Sequence, residues 1–257
     1  MSSTRPEGIS VVIPAYNEEL RIGSSIASYV PVLESTGLPY EIIVVVDGDD
    51  RTQEVAESIG CAQIRFLRSP QRLGKGGAIL AGFRGARFAT VGYVDADGSL
   101  RPSDLLVLIR SLEYADLTIG SRWLPDSHWL KKEPRLNRVA SRGYNVLVRS
   151  VLNLQVTDTQ CGAKFYRADL LAELLDRVQV TNMSFDTAMI FHAQRLGARI
   201  VEVPIAWTHD DRSKFSVERE VFVMLLTLVG IRLMNLPMGR WVPPSFIDSF
   251  MRRYGNQ

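Results

Sequence analysis

The chain has 257 residues, of which 46% are hydrophobic and 23% are charged, a composition typical of a globular protein with a substantial core. Its formal net charge of +2 gives no strong indication of a nucleic-acid partner, and none is expected. The two cysteines, Cys61 and Cys161, exclude a disulfide framework and a zinc-binding spacing, so we expect a reducing compartment.

Neither a secretory signal nor a membrane-spanning helix is expected. Residues 1–8 are polar and lack the apolar segment that a signal peptide requires. The longest apolar run, residues 221–231, stops at Arg232 and is shorter than the roughly 18 residues of a spanning helix. We therefore expect a cytoplasmic protein that does not cross a membrane by itself.

In the first half of the chain, short apolar and β-branched runs alternate with helical patterns. The expected strands are residues 9–13, 41–46, 62–67, 90–94 and 116–120. The first helix is predicted to start at Asn17, a natural N-cap, and to end near Val30, before Pro31. The alternation predicts an α/β protein with a doubly wound, mostly parallel sheet that helices cover on both faces.

The second half begins with a basic helix, predicted over residues 134–152. Its arginines follow one another at spacings of three, four and seven, so they share one broad face: Arg135, Arg138, Arg142 and Arg149. That face is a solvated surface, an anion site or a contact with an anionic bilayer. Residues 156–166 form a polar knot beside apolar residues, residues 199–205 are the last expected strand, and residues 216–236 an apolar helix.

Two carboxylates follow the strand at residues 90–94. Asp95 and Asp97, separated by Ala96, stand where open α/β sheets bind their ligands, at the carboxyl end of a strand. Hard oxygen ligands at this spacing suit Mg²⁺ or Mn²⁺, which in turn would hold a diphosphate. The alternative is a turn in which the two aspartates cap the next helix.

Other polar strand ends are expected at the same edge of the sheet. Residues 16–18 follow the first strand and residues 47–50 the second, and their convergence on the aspartate pair favours a site for a metal and a nucleotide. Lys75 lies in a glycine-rich loop that resembles a phosphate cradle but lacks the P-loop pattern. It either helps to hold the donor or belongs to a flexible helix start.

Several stretches together resemble a known family. They are residues 12–18, 74–78, 95–98, 120–122 and 158–164, Phe185 with Asp186, and Trp207 with Ser213 and Lys214. This set resembles the family-two glycosyltransferases of GT-A fold, specifically the polyprenyl (dolichyl) phosphate glucosyl- and mannosyltransferases. The stretch Asp-Thr-Gln-Cys-Gly-Ala-Lys at residues 158–164 is the most specific and is similar to the dolichyl-phosphate β-glucosyltransferases.

The resemblance implies an inverting, metal-dependent transfer of a hexose. The implied donor-binding residues are Pro14, Ala15, Tyr16, Glu18, Asp47, Lys75, Asp95, Ala96, Asp97 and Lys214. Asp95 and Asp97 are the implied ligands of Mg²⁺ or Mn²⁺, and the implied catalytic residues are Asp97, Arg122 and Asp186. Asp186 would be the base if the acceptor were a hydroxyl group.

The implied donor is UDP-glucose. Relatives that use mannose often carry a Gln where this chain has Ser99 and an Arg where it has Thr208, and both departures favour glucose. GDP-mannose is the alternative donor. The helix after Asp186 also has Ala188 where many relatives have Glu, so this chain departs from the family pattern there.

The implied acceptor is a polyprenyl phosphate, whose phosphate would be held by Arg122, Arg138, Ser141 and Lys164. A soluble or glycan hydroxyl acceptor and a catalytically dead nucleotide-sugar binding protein are the alternatives. We expect a catalytic domain over residues 1–215, with a donor half at 9–122 and an acceptor half at 123–215. Residues 216–257 would pack on the core or lie in the interface of a membrane, at whose cytoplasmic face the enzyme would be peripheral.

Overall fold

The computed structural model describes residues 5–131, 135–178, 182, 184–208, 227–228 and 230–232, with the backbone alone at 131 and 135–140. The strands are β1 Ile9–Ala15, β2 Tyr40–Val46, β3 Ile64–Arg68, β4 Thr90–Val94, β5 Leu117–Ser121, β6 His128–Lys131, β7 Ala163–Arg167, β8 Ile200–Pro204 and β9 Ala206–Thr208. The helices are α1 Ile22–Glu34, α2 Thr52–Glu57, α3 Gly74–Gly85, α4 Pro102–Ser111, α5 Arg135–Leu152, α6 Ala168–Leu175 and α7 Phe185–Arg195.

Seven of these strands form one sheet in the order β3-β2-β1-β4-β7-β5-β8, and β6 pairs with β9 in a separate parallel pair. All strands of the large sheet run parallel except β7, which is antiparallel to both β4 and β5. The predicted α/β architecture with a mostly parallel sheet is therefore confirmed.

The core has two layers, one on each face of this sheet. Successive residues of β1 face opposite sides, so Val11 and Ile13 pack into one layer while Val12 packs into the other. Burial on both faces explains why the strands in the sequence are unbroken apolar runs instead of alternating patterns.

The central strand β7 was not predicted. Its residues fall in the stretch that was interpreted as a polar knot, because Lys164 interrupts the apolar pattern there. The structure places the whole Lys164 side chain in the interior, with no exposed surface. A lysine in a central strand is tolerated because the fold supplies it with an internal carboxylate partner, Asp186.

The prediction for the first helix was wrong at both ends. Asn17 has a φ of +55° and lies outside the helix, where its side chain accepts a hydrogen bond from the Asp49 amide. The helix begins at Ile22 and continues through Pro31 to Glu34. Its buried positions, among them Tyr29 and Leu33, flank the proline, so tertiary packing outweighs the lost backbone hydrogen bond.

Most of the apolar helix expected at residues 216–236 lies outside the described residues. In the parts that are described, Thr227, Leu228 and Ile231 are buried, and the last two belong to one layer of the core. Within the described part of the chain, no helix has the length and hydrophobicity needed to cross a membrane.

We predict that Gly92→Ala destabilises the protein by ~1–3 kcal/mol, because overpacking of a tight core forces shifts of this cost. Gly92 pairs with Phe165 across β4 and β7, and an added Cβ would overlap the buried phenylalanine ring. Urea unfolding measures the difference. The matched control is Gly85→Ala near the end of α3, where the nearest atom would be Leu67 Cδ1 at 3.4 Å. Equal unfolding midpoints for the two variants would contradict the prediction.

Candidate active site

The parallel register brings the polar strand ends together at one edge of the sheet. Ala15 at the end of β1 pairs with Val46 at the end of β2, and Val12 pairs with Tyr93 near the end of β4. The segments that follow these strands therefore begin side by side, as the sequence indicated. Pro14 and Ala15 contribute backbone here, and the Ala15 carbonyl accepts the Asp47 amide at 2.9 Å.

Asp95 and Lys75 form an ion pair at this edge. Lys75 Nζ lies 2.7 Å from Asp95 Oδ1, and both side chains are about a quarter exposed. Although burial by itself lowers the pKa of Lys75, the carboxylates of Asp95 and Asp186 raise it above its usual value. Lys75 is thus a cation beside the first aspartate. The glycine-rich stretch that carries it was expected to be a loop, but in the structure Lys75 lies in the first turn of α3.

Asp97 is held by the turn that follows it. Its Oδ1 accepts the Ser99 amide at 2.9 Å, whereas α4 has Arg101 at its N-cap and receives no side-chain cap bond. The alternative in which the aspartates cap the next helix is therefore not what the structure shows. Ala96 between them is buried. Among the residues described, no group of three or more His, Cys, Asp or Glu side chains could hold a metal.

Glu18 faces the aspartate pair from the β1 side. It binds Arg21, with Arg21 Nη2 2.5 Å from Glu18 Oε1. Burial raises the pKa of Glu18, and the charges of Asp97 and Asp95 add to the increase despite the opposing effect of Arg21. The charges of Asp95 and Asp97 therefore reach Glu18, although Glu18 and Asp95 each have a cationic partner.

Asp47 has a structural role that the sequence did not indicate. Its two carboxylate oxygens accept the amides of Leu73 at 2.7 Å and Gly74 at 2.9 Å, at the start of α3. This contact fixes the start of α3, whose first turn carries Lys75. A direct role of Asp47 in donor binding stays a prediction.

Tyr16 is paired with a residue that sequence reasoning missed. Tyr16 is 44% exposed, and the guanidinium carbon of Arg72 lies 4.2 Å from the centre of its ring. The only signal in the sequence was that Arg72 precedes the glycine-rich loop by two residues. Lys214, the remaining expected donor ligand, lies outside the described residues.

Arg122 is bound at the end of β5 by a carboxylate. Its Nε and Nη2 donate to Asp158 Oδ2 and Oδ1 at 2.7 and 3.0 Å, and its guanidinium lies over the Trp207 ring at 5.5 Å. Burial alone would raise the pKa of Asp158, but the Arg122 guanidinium and its hydrogen bonds hold it below the usual value. The Arg122 side chain is largely buried, with 13% of it exposed.

Glu202 on β8 supports this pair and was also missed. Its carboxylate accepts the Thr157 amide at 2.7 Å, the Thr157 hydroxyl at 2.6 Å and the Asp158 amide at 2.9 Å. Glu202 thereby orients the segment that presents Asp158 to Arg122. A single acidic residue in a short strand carries no motif, so the sequence offered no signal for it.

Lys164 and Asp186 form a buried ion pair. Lys164 Nζ donates to Asp186 Oδ1 at 2.8 Å and to the Cys161 carbonyl at 2.7 Å, and Tyr93 donates its hydroxyl proton to the same carboxylate. Lys164 is fully buried and Asp186 is 2% exposed. The expected roles of Lys164 at an acceptor phosphate and of Asp186 as a base on a hydroxyl group stay predictions, and in this structure each side chain is bound to the other.

Gly162 connects this buried pair to the aspartates. Its carbonyl accepts the Asp95 amide at 3.0 Å, and an added Cβ would overlap the Asp95 carboxylate. An alanine at this position would force the Asp95 carboxylate to move, so glycine preserves the present position of that carboxylate. The stretch at residues 158–164 runs from the partner of Arg122 to the partner of Asp186 and touches Asp95 on the way, which gives its residue types a physical reason.

The two α5 residues expected at the acceptor phosphate are described unequally. The backbone of Arg138 is helical but its side chain lies outside the described part. Ser141 is half-buried, and its carbonyl accepts Asn145 Nδ2 at 3.1 Å. Asn145 in turn accepts the amide and hydroxyl of Thr159, at 2.8 and 2.7 Å. Helix α5 is therefore joined to the 158–164 stretch.

Comparison with known proteins defines the class. Residues 10–175 match the model of glycosyl transferase family 2, so the chain belongs to that family and is a glycosyltransferase. The architecture matches GT-A structures. The UDP complex of glucosyl-3-phosphoglycerate synthase from Mycobacterium tuberculosis superposes on this chain with a TM-score of 0.66 and a sequence identity of 22%. The match covers 88% of this chain and 79% of the synthase.

Two curated relatives are more similar in sequence. Glycosyltransferase AglD of Haloferax volcanii is 38% identical over 225 residues, which are 84% of this chain and 35% of that protein. The dolichyl-phosphate beta-glucosyltransferase of Dictyostelium discoideum is 30% identical over 249 residues, 91% of this chain and 76% of that protein. This chain thus spans about a third of the Haloferax protein.

We predict that Lys164→Met destabilises the protein by ~3–5 kcal/mol, because removing one partner leaves a buried charge uncompensated. The double variant Lys164→Met with Asp186→Leu should lose clearly less than the sum of the two single variants. Urea unfolding of the three variants measures this coupling.

The matched control is Arg177→Met, which removes an exposed pair with Glu173 on the surface and should cost less than ~1 kcal/mol. Strictly additive losses in the double variant would show that Lys164 and Asp186 do not depend on each other.

Proposed function

We propose that this protein transfers glucose from UDP-glucose to a polyprenyl phosphate, with inversion at the sugar carbon. One observation carries the proposal. Residues 158–164 connect the Asp95–Lys75 pair directly to the Asp158–Arg122 pair. The proposal is supported by relatives that are named dolichyl-phosphate beta-glucosyltransferases.

Asp95 and Asp97 would hold Mg²⁺ or Mn²⁺. Both are hard oxygen donors, and their charges also act on a third carboxylate, Glu18, whose pKa is raised chiefly by burial. Because Asp95 is paired with Lys75 and Asp97 with the Ser99 amide, the remaining ligands would come from the donor diphosphate and water. A divalent ion here supplies charge neutralisation for the departing nucleoside diphosphate.

The chain's own donor residues would act around this centre. Tyr16, whose ring is stacked under Arg72, offers an aromatic face at which the nucleoside binds. Lys75 stands beside Asp95 and would contact the diphosphate as a point charge. Pro14, Ala15, Asp47 and Ala96 would shape this pocket, and Lys214 is proposed as a further donor ligand.

The burial of Asp186 favours a phosphate acceptor over a hydroxyl acceptor. A hydroxyl nucleophile needs a base, and the expected one is buried in an ion pair with Lys164. A phosphomonoester, with its second pKa near ~6, is already largely dianionic at neutral pH and attacks without a base. Arg122 would stand next to that phosphate, held in orientation by Asp158.

The choice of glucose rests on Ser99 and Thr208. The structure places these two positions side by side, since the Thr208 amide donates to the Ser99 carbonyl at 3.2 Å. Ser99 and Thr208 therefore lie in one part of the site, next to Asp97. We propose that the two residues jointly favour glucose over mannose. GDP-mannose is the second candidate donor.

We further propose that residues 1–215 form the catalytic domain and that the enzyme works at the cytoplasmic face of a membrane, where its acceptor lies. Strand β7 of the acceptor half, 123–215, is inserted between β4 and β5 of the donor half, 9–122. The two halves therefore share one sheet. The role of residues 216–257 at the membrane or on the core is part of this proposal.

The test is transfer of radiolabelled sugar into a lipid extract from UDP-glucose, UDP-N-acetylglucosamine or GDP-mannose, with polyprenyl phosphate as acceptor. We expect label in lipid from UDP-glucose alone, with loss on chelation and recovery on adding Mn²⁺ or Mg²⁺. Asp97→Asn should lower the rate on the order of 10²-fold, because it removes a charged ligand of the ion.

The matched control is Asp169→Asn in the first turn of α6, which follows β7 at the opposite edge of the sheet and should leave the rate unchanged. Lipid label from GDP-mannose would overturn the donor assignment. Nucleotide binding without lipid label from any donor would overturn the acceptor, and absence of any donor turnover would favour a binding protein.

A further inference from the structure

A cleft of about 450 Å³ lies between α5 and the segment that follows β5, beside the candidate active site. We call it the α5 cleft and define it by Trp123, Arg142, Asn145, Val146, Arg149 and Thr157. Trp123 directly follows Arg122, and Thr157 directly precedes its partner Asp158. The cleft therefore opens next to the pair at which the proposed function places the acceptor.

The α5 cleft carries uncompensated positive charge. Arg142 and Arg149 are two helical turns apart on one face of α5, and neither has a carboxylate partner among the residues described. The Arg142 guanidinium lies 5.1 Å from the Trp123 ring centre instead. Arg122, in contrast, is neutralised by Asp158, so the net charge that an anion meets here comes from α5.

Two buried donor atoms of the cleft lack a hydrogen-bond partner within the described structure. They are Nε of Arg149 and Nε1 of Trp123, each with almost no exposed surface. Buried donors in folded proteins are nearly always satisfied by protein, ordered water or a ligand, so these two donors are available to an acceptor that enters the cleft. A phosphate oxygen is such an acceptor.

The cleft also has an apolar side. Val146 is 59% exposed, and the Trp123 ring adds aromatic surface. Its volume falls within the range of clefts that hold organic ligands and exceeds what a phosphate alone would need. The combination suits a phosphate that is attached to a hydrocarbon chain.

We infer that the α5 cleft binds the phosphate and the first isoprene units of the acceptor, with Arg142 and Arg149 as the phosphate ligands. This inference rests on the proposed function and deepens it. It assigns the phosphate to two arginines that were not among the expected acceptor ligands. These arginines would take the place of Lys164, whose side chain is buried in the ion pair with Asp186.

The test measures binding by titration calorimetry on the whole protein without donor, using farnesyl phosphate, farnesol and inorganic phosphate as probes. Farnesyl phosphate should bind at least about 10-fold more tightly than either inorganic phosphate or farnesol. Arg142→Met and Arg149→Met should each weaken farnesyl phosphate about 10-fold or more, the usual cost of losing a charged hydrogen bond, and leave farnesol unchanged.

Two comparisons separate a phosphate ligand from a structural residue. Arg149→Lys keeps the charge but loses the planar fork, so it should bind farnesyl phosphate with intermediate affinity. Arg110→Met removes an exposed arginine from the last turn of α4 and should bind like the unmodified protein. Binding of UDP, measured in parallel, should be the same in all variants because the cleft lies outside the donor site.

The possible failures are distinguishable. Unchanged farnesyl phosphate affinity in both methionine variants overturns the α5 cleft while leaving a prenyl phosphate acceptor standing. Inorganic phosphate that binds as tightly as farnesyl phosphate, with loss in the variants, overturns the prenyl part and leaves an anion site. No binding of farnesyl phosphate by the unmodified protein overturns the cleft and the acceptor class together, whereas UDP binding still reports on the donor site.

Discussion

The buried ion pair between Lys164 and Asp186 is the contact on which the rest of the site depends. It lies in the interior, with Lys164 on the antiparallel strand β7 and Asp186 in the first turn of α7. A lone charge at this depth is prohibitively unfavourable, so each group requires the other. The pair therefore links β7, which lies between β4 and β5, to the first turn of α7.

The position of β7 explains how two distant chemical groups become neighbours. The segment that precedes β7 begins beside the end of β5 and then reaches the end of β4, where the chain enters the sheet as β7. Gly162 meets Asp95 on one side, and Asp158 meets Arg122 on the other. One short segment thus sets the separation between the donor carboxylates and the acceptor side, and its internal hydrogen bonds to Asn145 and Glu202 keep that separation constant.

The charges at the site are largely arranged as pairs. Lys75 is matched with Asp95, Arg21 with Glu18, and Arg122 with Asp158. Such pairs preserve an ordered site when no phosphate is bound, and a phosphate that enters must compete with the carboxylate for its cation. The arginines of the α5 cleft stand apart, because no described carboxylate neutralises them and they therefore attract an anion more strongly.

The sequence by itself determined the class of the sheet and the alternation of strands and helices in the first half of the chain. It also determined the edge of the sheet at which Asp95, Asp97, Glu18 and Lys75 gather. Those features depend on local apolar runs and on the fact that parallel strands end at a common edge. Only the tertiary structure decided that Lys164 belongs to a central strand, that Asp186 is its counterion, and that Glu202 and Arg72 take part. Each of these depends on a partner between 22 and 56 positions away along the chain, which no local pattern encodes. The same reason explains the first helix: Asn17 had the local chemistry of a cap, but burial of Tyr29 and Leu33 on either side of Pro31 decided where the helix lies.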